Sequence, residues 1–248
     1  MLTASPAPTQ ACLDREGRIE RNRLDSALLS QPLEFRLYLP PCYDEQNERR
    51  YPVLYLLHGG TFYNDDQWDR LGADEAADRL MARGELPPFL IVMPYDRLWT
   101  RPIEDPFGEA LIQELIPWID DKYRTLTDRE HRAIGGLSRG AGWAIHLGLS
   151  HRELFGIIGA HSLAVFDQDA AGDINRWLAE LPRDALPRFF LDIGAQDQPL
   201  ILKSAIWFEK RLTEEGIPHE WHLYTGKHEE TYWAAHVEEY LRWYAEEW

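Results

Sequence analysis

The stretch Ala133-Ile134-Gly135-Gly136-Leu137-Ser138-Arg139-Gly140 constrains this chain more than any other. An apolar run ends in the pattern Gly-x-Ser-x-Gly, and a helix-like run from Ala141 to Leu149 follows at once. A strand that turns directly into a helix has almost no residues in which to reverse. The serine at the corner must take a strained backbone conformation, and Gly136 and Gly140 remove Cβ atoms that would collide. The serine oxygen then stands clear of the sheet, and amides at the helix N-terminus favour negative charge beside it. The five-residue pattern alone is weak, because Gly and Ser are common in turns. The strand before it and the helix after it make it an elbow.

The rest of the chain supplies the layers such an elbow needs. Alternating residues predict strands over Arg18 to Leu24 and Leu33 to Leu39, an antiparallel pair closed by Pro40-Pro41. Pro52 to Leu57 is a continuous apolar run, as in a strand buried on both faces, and His58-Gly59-Gly60 breaks it. Further strands are expected over Phe89 to Met93, Arg132 to Gly135, Gly156 to Ala160, Arg188 to Ile193 and Glu220 to Tyr224. Helices are expected over Ala73 to Arg83, Ile174 to Leu181, Pro199 to Glu215 and Glu230 to Tyr244. Gly108 to Tyr123 carries Leu111, Ile112, Leu115, Ile116 and Ile119 on one face, and Pro117 should kink it or begin a new turn. Strands alternating with helices imply an α/β fold, a mostly parallel sheet with helices on both faces. The expected organisation is a flexible leader over residues 1–16 and one domain over residues 17–248, with connections too short for a large cap.

Composition narrows the partners. With 26 Lys and Arg against 42 Asp and Glu, the net charge is −16. Such a surface repels phosphate backbones and anionic membranes, so a nucleic-acid partner is not expected. No run approaches the roughly 20 apolar residues that span a bilayer. Two cysteines, Cys12 and Cys42, form no metal-ligand pattern, and neither metal nor cofactor is implied. Two readings of them stand: unrelated thiols, or a disulfide worth about 3.6 kcal/mol in the chain-entropy model. A disulfide and a leader-like N-terminus would suit an extracytoplasmic compartment. The sequence leaves the oligomeric state open.

A serine hydroxyl is a poor nucleophile at neutral pH. It needs a neutral imidazole to take its proton, and the imidazole needs an anion to hold its tautomer. In the α/β-hydrolase arrangement the order is serine, acid, histidine, each just past the C-terminal end of a strand. Asp197, in Gly194-Ala195-Gln196-Asp197, meets that requirement for the acid; its alternative role is structural, near the start of the following helix. Asp192 lies within a strand, and Asp167, Asp169 and Asp173 are fallbacks. His228, in Gly226-Lys227-His228, falls after the last strand and before the last helix. His131, His146 and His151 flank the serine, His219 and His222 belong to the last strand, and His236 lies within the final helix. The oxyanion of the tetrahedral intermediate needs two preset donors. The backbone N–H groups of Arg139 and Gly60 are the candidates. His58 and His161 are candidates to line the cleft, together with Trp68 and Trp99.

On these residues the chain resembles the esterase D/putative-esterase family of α/β-hydrolases. This group includes feruloyl esterases, trilactone esterases and the antigen 85 group. The matching stretches are Phe35 to Pro41, Tyr51 to Gly60, Glu114 to Pro117, Tyr123 to Thr125, Gly136 to Gly140 and Gly226 to His228. The resemblance implies Ser138, Asp197 and His228 as the triad, with the Gly60 and Arg139 amides as the oxyanion hole. One departure stands out: many members carry a small residue or Met after the nucleophile, where this chain has Arg139. That side chain could meet an anionic substrate group or pair with an acid. Trp143, one turn on, is expected to be packed. The S-formylglutathione hydrolase branch fits less well around His58-Gly59-Gly60.

The expected activity is therefore that of a serine carboxylesterase acting on a feruloyl- or acetyl-type ester of a carbohydrate or similar bulky alcohol. Aromatic residues of the loops after the strands, Phe62, Tyr63, Trp68, Trp99, Phe107, Phe166 and Trp177, suit sugar faces or phenolic groups. Most tryptophans are nonetheless core residues in any fold. Hydrolysis of a siderophore trilactone and acyl transfer to a sugar are the enzymatic alternatives. A non-catalytic binding protein on the same scaffold is the alternative of another class.

Overall fold

The computed structural model describes residues 14–60, 65–97 and 101–248. Among these residues, strands β1 (Arg18–Leu24), β2 (Leu33–Leu39), β3 (Val53–Leu57), β4 (Leu90–Pro94), β5 (Arg132–Leu137), β6 (Ile157–His161), β7 (Arg188–Gly194) and β8 (Glu220–Tyr224) form one sheet. Their spatial order is β1-β2-β4-β3-β5-β6-β7-β8. β2 pairs antiparallel with β1 and with β4, and every other pairing is parallel. The continuous apolar runs behave as their composition requires: β3, β4, β5 and β6 are buried along their whole length.

Helices cover both faces. α1 (Gln67–Arg70), α2 (Ala73–Ala82) and α8 (Glu230–Ala245) pack on one side. α3 (Phe107–Ala110), α4 (Ile116–Lys122), α5 (Arg139–Ser150), α6 (Ile174–Ala179) and α7 (Pro199–Glu214) pack on the other. The amphipathic segment around Pro117 is continuous but contains a π turn over Leu111–Leu115. Pro117 has no N–H, and its ring excludes the carbonyl four residues back. A widened turn immediately before it lets the chain pass without breaking the buried face. Among the described residues no helix is long and apolar enough to cross a membrane. Cys42 carries no free thiol; Cys12 lies outside the described residues.

One contact fixes how α8 sits. The hydroxyl of Tyr244 enters a slot between β5 and β6, where Gly135 and Gly159 are register partners. A Cβ at either glycine would lie 1.8 Å from that oxygen. Beside the slot, Asp192 on β7 is fully buried and accepts hydrogen bonds from Tyr232 (2.6 Å) and Tyr240 (2.8 Å), both on α8. Its other oxygen is 2.6 Å from Nδ1 of His161, whose Nε2 lies 3.0 Å from the Tyr244 hydroxyl. Three tyrosines of one helix thus meet one carboxylate–imidazole pair, and each buried polar group has a partner. Gly159→Ala should overpack this slot and lower stability by about 1–3 kcal/mol in urea denaturation. An unchanged midpoint would show that α8 does not depend on it.

Candidate active site

Ser138 occupies the corner between β5 and α5 with φ 56° and ψ −115°, a region that residues with a Cβ avoid. Its neighbours explain how the corner is tolerated. A Cβ on Gly140 would lie 2.2 Å from the Leu57 carbonyl oxygen, and one on Gly136 would lie 2.3 Å from the backbone of Gly140. The Ser138 N–H donates to the His161 carbonyl at 2.8 Å, so the corner is tied to the end of β6.

The acid and the imidazole arrive on two adjacent loops laced to each other. Ala195 N–H donates to the Tyr224 carbonyl (2.7 Å), Gln196 N–H to the Gly226 carbonyl (2.9 Å), and Gly226 N–H to Gln196 Oε1 (2.8 Å). These bonds set His228 against Asp197. His228 Nδ1 is 2.9 Å from Asp197 Oδ1 and 3.1 Å from Oδ2, and Nε2 is 3.0 Å from Ser138 Oγ. The Asp197 side chain is fully buried and also accepts from Gln198 N–H at 2.6 Å and from Ser162 Oγ at 2.9 Å. With Nδ1–H donated to the carboxylate, Nε2 keeps a lone pair facing the serine hydroxyl. The arrangement can move a proton from Ser138 to His228 while Asp197 balances the imidazolium charge.

The two expected amide donors belong to the segments that follow β3 and β5, which are neighbours in the sheet. β3 pairs with β5 through Leu57 and Gly136, and Gly140, two residues past Ser138, sits against the carbonyl oxygens of Leu57 and His58. His58 Nδ1 donates to the Gly59 carbonyl at 2.7 Å. The peptide is trans, so the Gly60 N–H on its far edge points away from His58. Arg139 opens α5, and its N–H stands at the helix N-terminus. Its side chain is paired with two acids: Nε lies 2.7 Å from Asp96 Oδ2, and NH2 lies 2.8 Å from Asp105 Oδ2. Of the two roles open to Arg139, pairing with acids is the one the structure displays. Trp143 is packed as expected and donates Nε1–H to the same Asp96 oxygen at 2.9 Å. Asp96 N–H in turn donates to His58 Nε2 at 2.9 Å. A neutral His58 therefore bridges the loops after β3 and β4.

Three of the residues expected to line a cleft do not. His58 is 4% exposed and serves the loop contacts just described. Trp68 is 2% exposed; its Nε1–H caps the Leu57 carbonyl at 3.0 Å, and its ring packs on His161 and Tyr240. His161 is fully buried because it faces α8, where its ring stacks on Tyr240 at 3.7 Å. Phe107, Phe166 and Trp177 are likewise buried. Trp99, Phe62 and Tyr63 lie outside the described residues. Ser162 and Trp233, which touch the acid and the imidazole, carry no sequence pattern that marks them.

Comparison with known proteins identifies the family of the chain. A family model described as "Putative esterase" matches residues 26–244. The chain belongs to that esterase family. It is 31% identical over 204 residues to an endo-1,4-beta-xylanase/feruloyl esterase of Xylanibacter ruminicola, covering 74% of this chain and 26% of that protein. It is 27% identical over 230 residues to an esterase of Mycobacterium tuberculosis, covering 73% of this chain and 49% of the relative. The chain thus spans half or less of the length of these curated relatives. Among solved structures, a ferulic acid esterase superposes with TM-score 0.82 at 26% identity, covering 93% of this chain and 98% of that one. A feruloyl esterase module from Clostridium thermocellum superposes with TM-score 0.75 at 20% identity, covering 98% and 93%. The fold of this family member is that of an α/β-hydrolase, and among the described residues there is no large cap.

Through His58, stability should depend on acid. Burial, with Arg139 nearby, holds its imidazole below the usual histidine range, against the pull of the Gly59 carbonyl and Asp96. The unfolded chain therefore takes up this proton before the folded one does. Stability present above about pH 6.5 should fall as pH drops, by up to about 1.4 kcal/mol per pH unit from this group. In His58→Gln that part of the slope should vanish in denaturation curves taken from pH 7 to 5. An unchanged slope would show that His58 is not held neutral.

Proposed function

We propose that this protein is a serine carboxylesterase. The observation that carries the reading is the continuous contact from the Ser138 hydroxyl through His228 to Asp197, at 3.0 Å and 2.9 Å, at the carboxyl ends of β5, β7 and β8. Ser138 Oγ attacks the ester carbonyl carbon as its proton passes to His228 Nε2. The carbonyl oxygen becomes an oxyanion facing the Gly60 and Arg139 amides, where preset donors act most strongly. His228 then returns the proton to the departing alkoxide, leaving the acyl group on Ser138. Water, deprotonated by His228, attacks the acyl-enzyme and releases the acid, and the serine recovers its proton.

The substrate class we propose is a feruloyl-type ester of a carbohydrate or comparable bulky alcohol. Two relatives support it: the Xylanibacter protein, named in part as a feruloyl esterase, and the solved ferulic acid esterase at 26% identity. The lack of a large cap among the described residues also suits an ester joined to a bulky partner. Ser138→Ala should lower turnover of p-nitrophenyl acetate by about 10⁶-fold, as when a comparable triad loses its serine. A variant retaining a tenth of the activity would refute the assignment. With the unaltered protein, kcat/KM for methyl ferulate should exceed that for the acetyl ester. The reverse order would exclude the feruloyl preference while leaving the esterase reading intact.

A further inference from the structure

β6 lies between the strand that carries the serine and the strand that carries the acid. The residue that follows it, Ser162, is therefore the one that can span the two. Ser162 is fully buried and has φ 52°, a conformation that favours glycine. Its N–H donates to the Asp192 carbonyl at 2.8 Å. The preceding carbonyl, that of His161, accepts the Ser138 N–H at 2.8 Å. Its hydroxyl is 2.9 Å from Asp197 Oδ2 and 3.1 Å from Trp233 Nε1. The Trp233 ring stands edge-on to the His228 ring, 4.9 Å between centroids at 86°.

The chemistry of these groups fixes the direction of the bonds. An indole N–H can only donate, so Ser162 Oγ accepts from Trp233. Its own hydrogen is then left for the ionised Asp197, which can only accept. We infer that Ser162, oriented by Trp233, is a positioning residue that holds the Asp197 carboxylate in the plane of the His228 ring. The inference rests on the Ser138–His228–Asp197 reading above. The chain of donors extends that line by two groups: Trp233 to Ser162, Ser162 to Asp197, and Asp197 against His228. Linked bonds of this kind polarise one another in a buried site. A backbone strained at Ser162 is what a serine held there for its hydroxyl would require, since glycine would occupy the corner with less strain.

That conformation also supplies the test. Ser162→Gly removes the hydroxyl and leaves the buried Trp233 N–H without its acceptor, but it also relieves the strained backbone, so the two effects offset and the protein should remain folded at the assay temperature. The His228–Asp197 pair serves acylation and deacylation alike. Both steps should slow together: kcat on p-nitrophenyl acetate, normalised to titrated active sites, should fall about 10- to 100-fold with KM within twofold. That is the effect of one hydrogen bond to a charged group. Trp233→Phe should lower normalised kcat several-fold by the same route. A Ser162→Gly protein with normalised kcat within twofold of the parent would overturn the inference. So would a loss of activity explained entirely by fewer titratable sites. Ser138→Ala, assayed in parallel, separates the two readings. If it is inactive while Ser162→Gly is fully active, only the role of Ser162 fails; if it is active, the triad reading fails as well.

Discussion

A serine hydroxyl meets an imidazole here only because residue 138 holds a backbone conformation that side chains avoid. Such a corner costs on the order of 1–3 kcal/mol and persists only where its surroundings over-determine it. They do so in three ways. β5 is buried along its length between β3 and β6. Gly136 and Gly140 open space that a Cβ would fill, and the His161 carbonyl receives the corner's N–H. Everything that approaches Ser138 is arranged around that fixed point.

The neighbouring strands explain why the other groups arrive in order. Across the sheet run β3, β5, β6, β7 and β8, and their carboxyl ends carry Gly60, Ser138, Ser162, Asp197 and His228 in turn. Parallel pairing makes this possible, because all five ends face the same way. β8 is an edge strand, and His228 lies in the loop between it and α8. That loop is held from two sides: by its hydrogen bonds to the Asp197 loop, and by α8, whose tyrosines close on Asp192 and His161. Asp192, which sequence reasoning set aside as an acid, supports this site from within the sheet.

Much of this was legible in the sequence because the relevant signals are local. Alternation marked β1 and β2 to the residue, and the central strands were expected to within two residues of their observed bounds. The order serine, acid, histidine, with each residue just past a strand, selected three positions that do converge. What escaped reading depends on direction or on tertiary contact. In a strand buried on both faces, apolar content does not say which way a polar residue points, so His161 was expected in a cleft and lies against α8. α1 has only four residues, too few for periodicity to place Trp68 in the core. Ser162 and Trp233 are 71 residues apart and meet only because α8 folds back over the sheet.

The central claim is that one activated hydroxyl, that of Ser138, stands apart from every other serine in the chain. Reaction of the purified protein with a fluorophosphonate, followed by peptide mass spectrometry, reads this directly. The account predicts one phosphonate per chain, on Ser138, with adduct formation suppressed by unfolding. An adduct on a different residue, or no adduct on folded protein at reagent concentrations that label ordinary serine hydrolases, would contradict it.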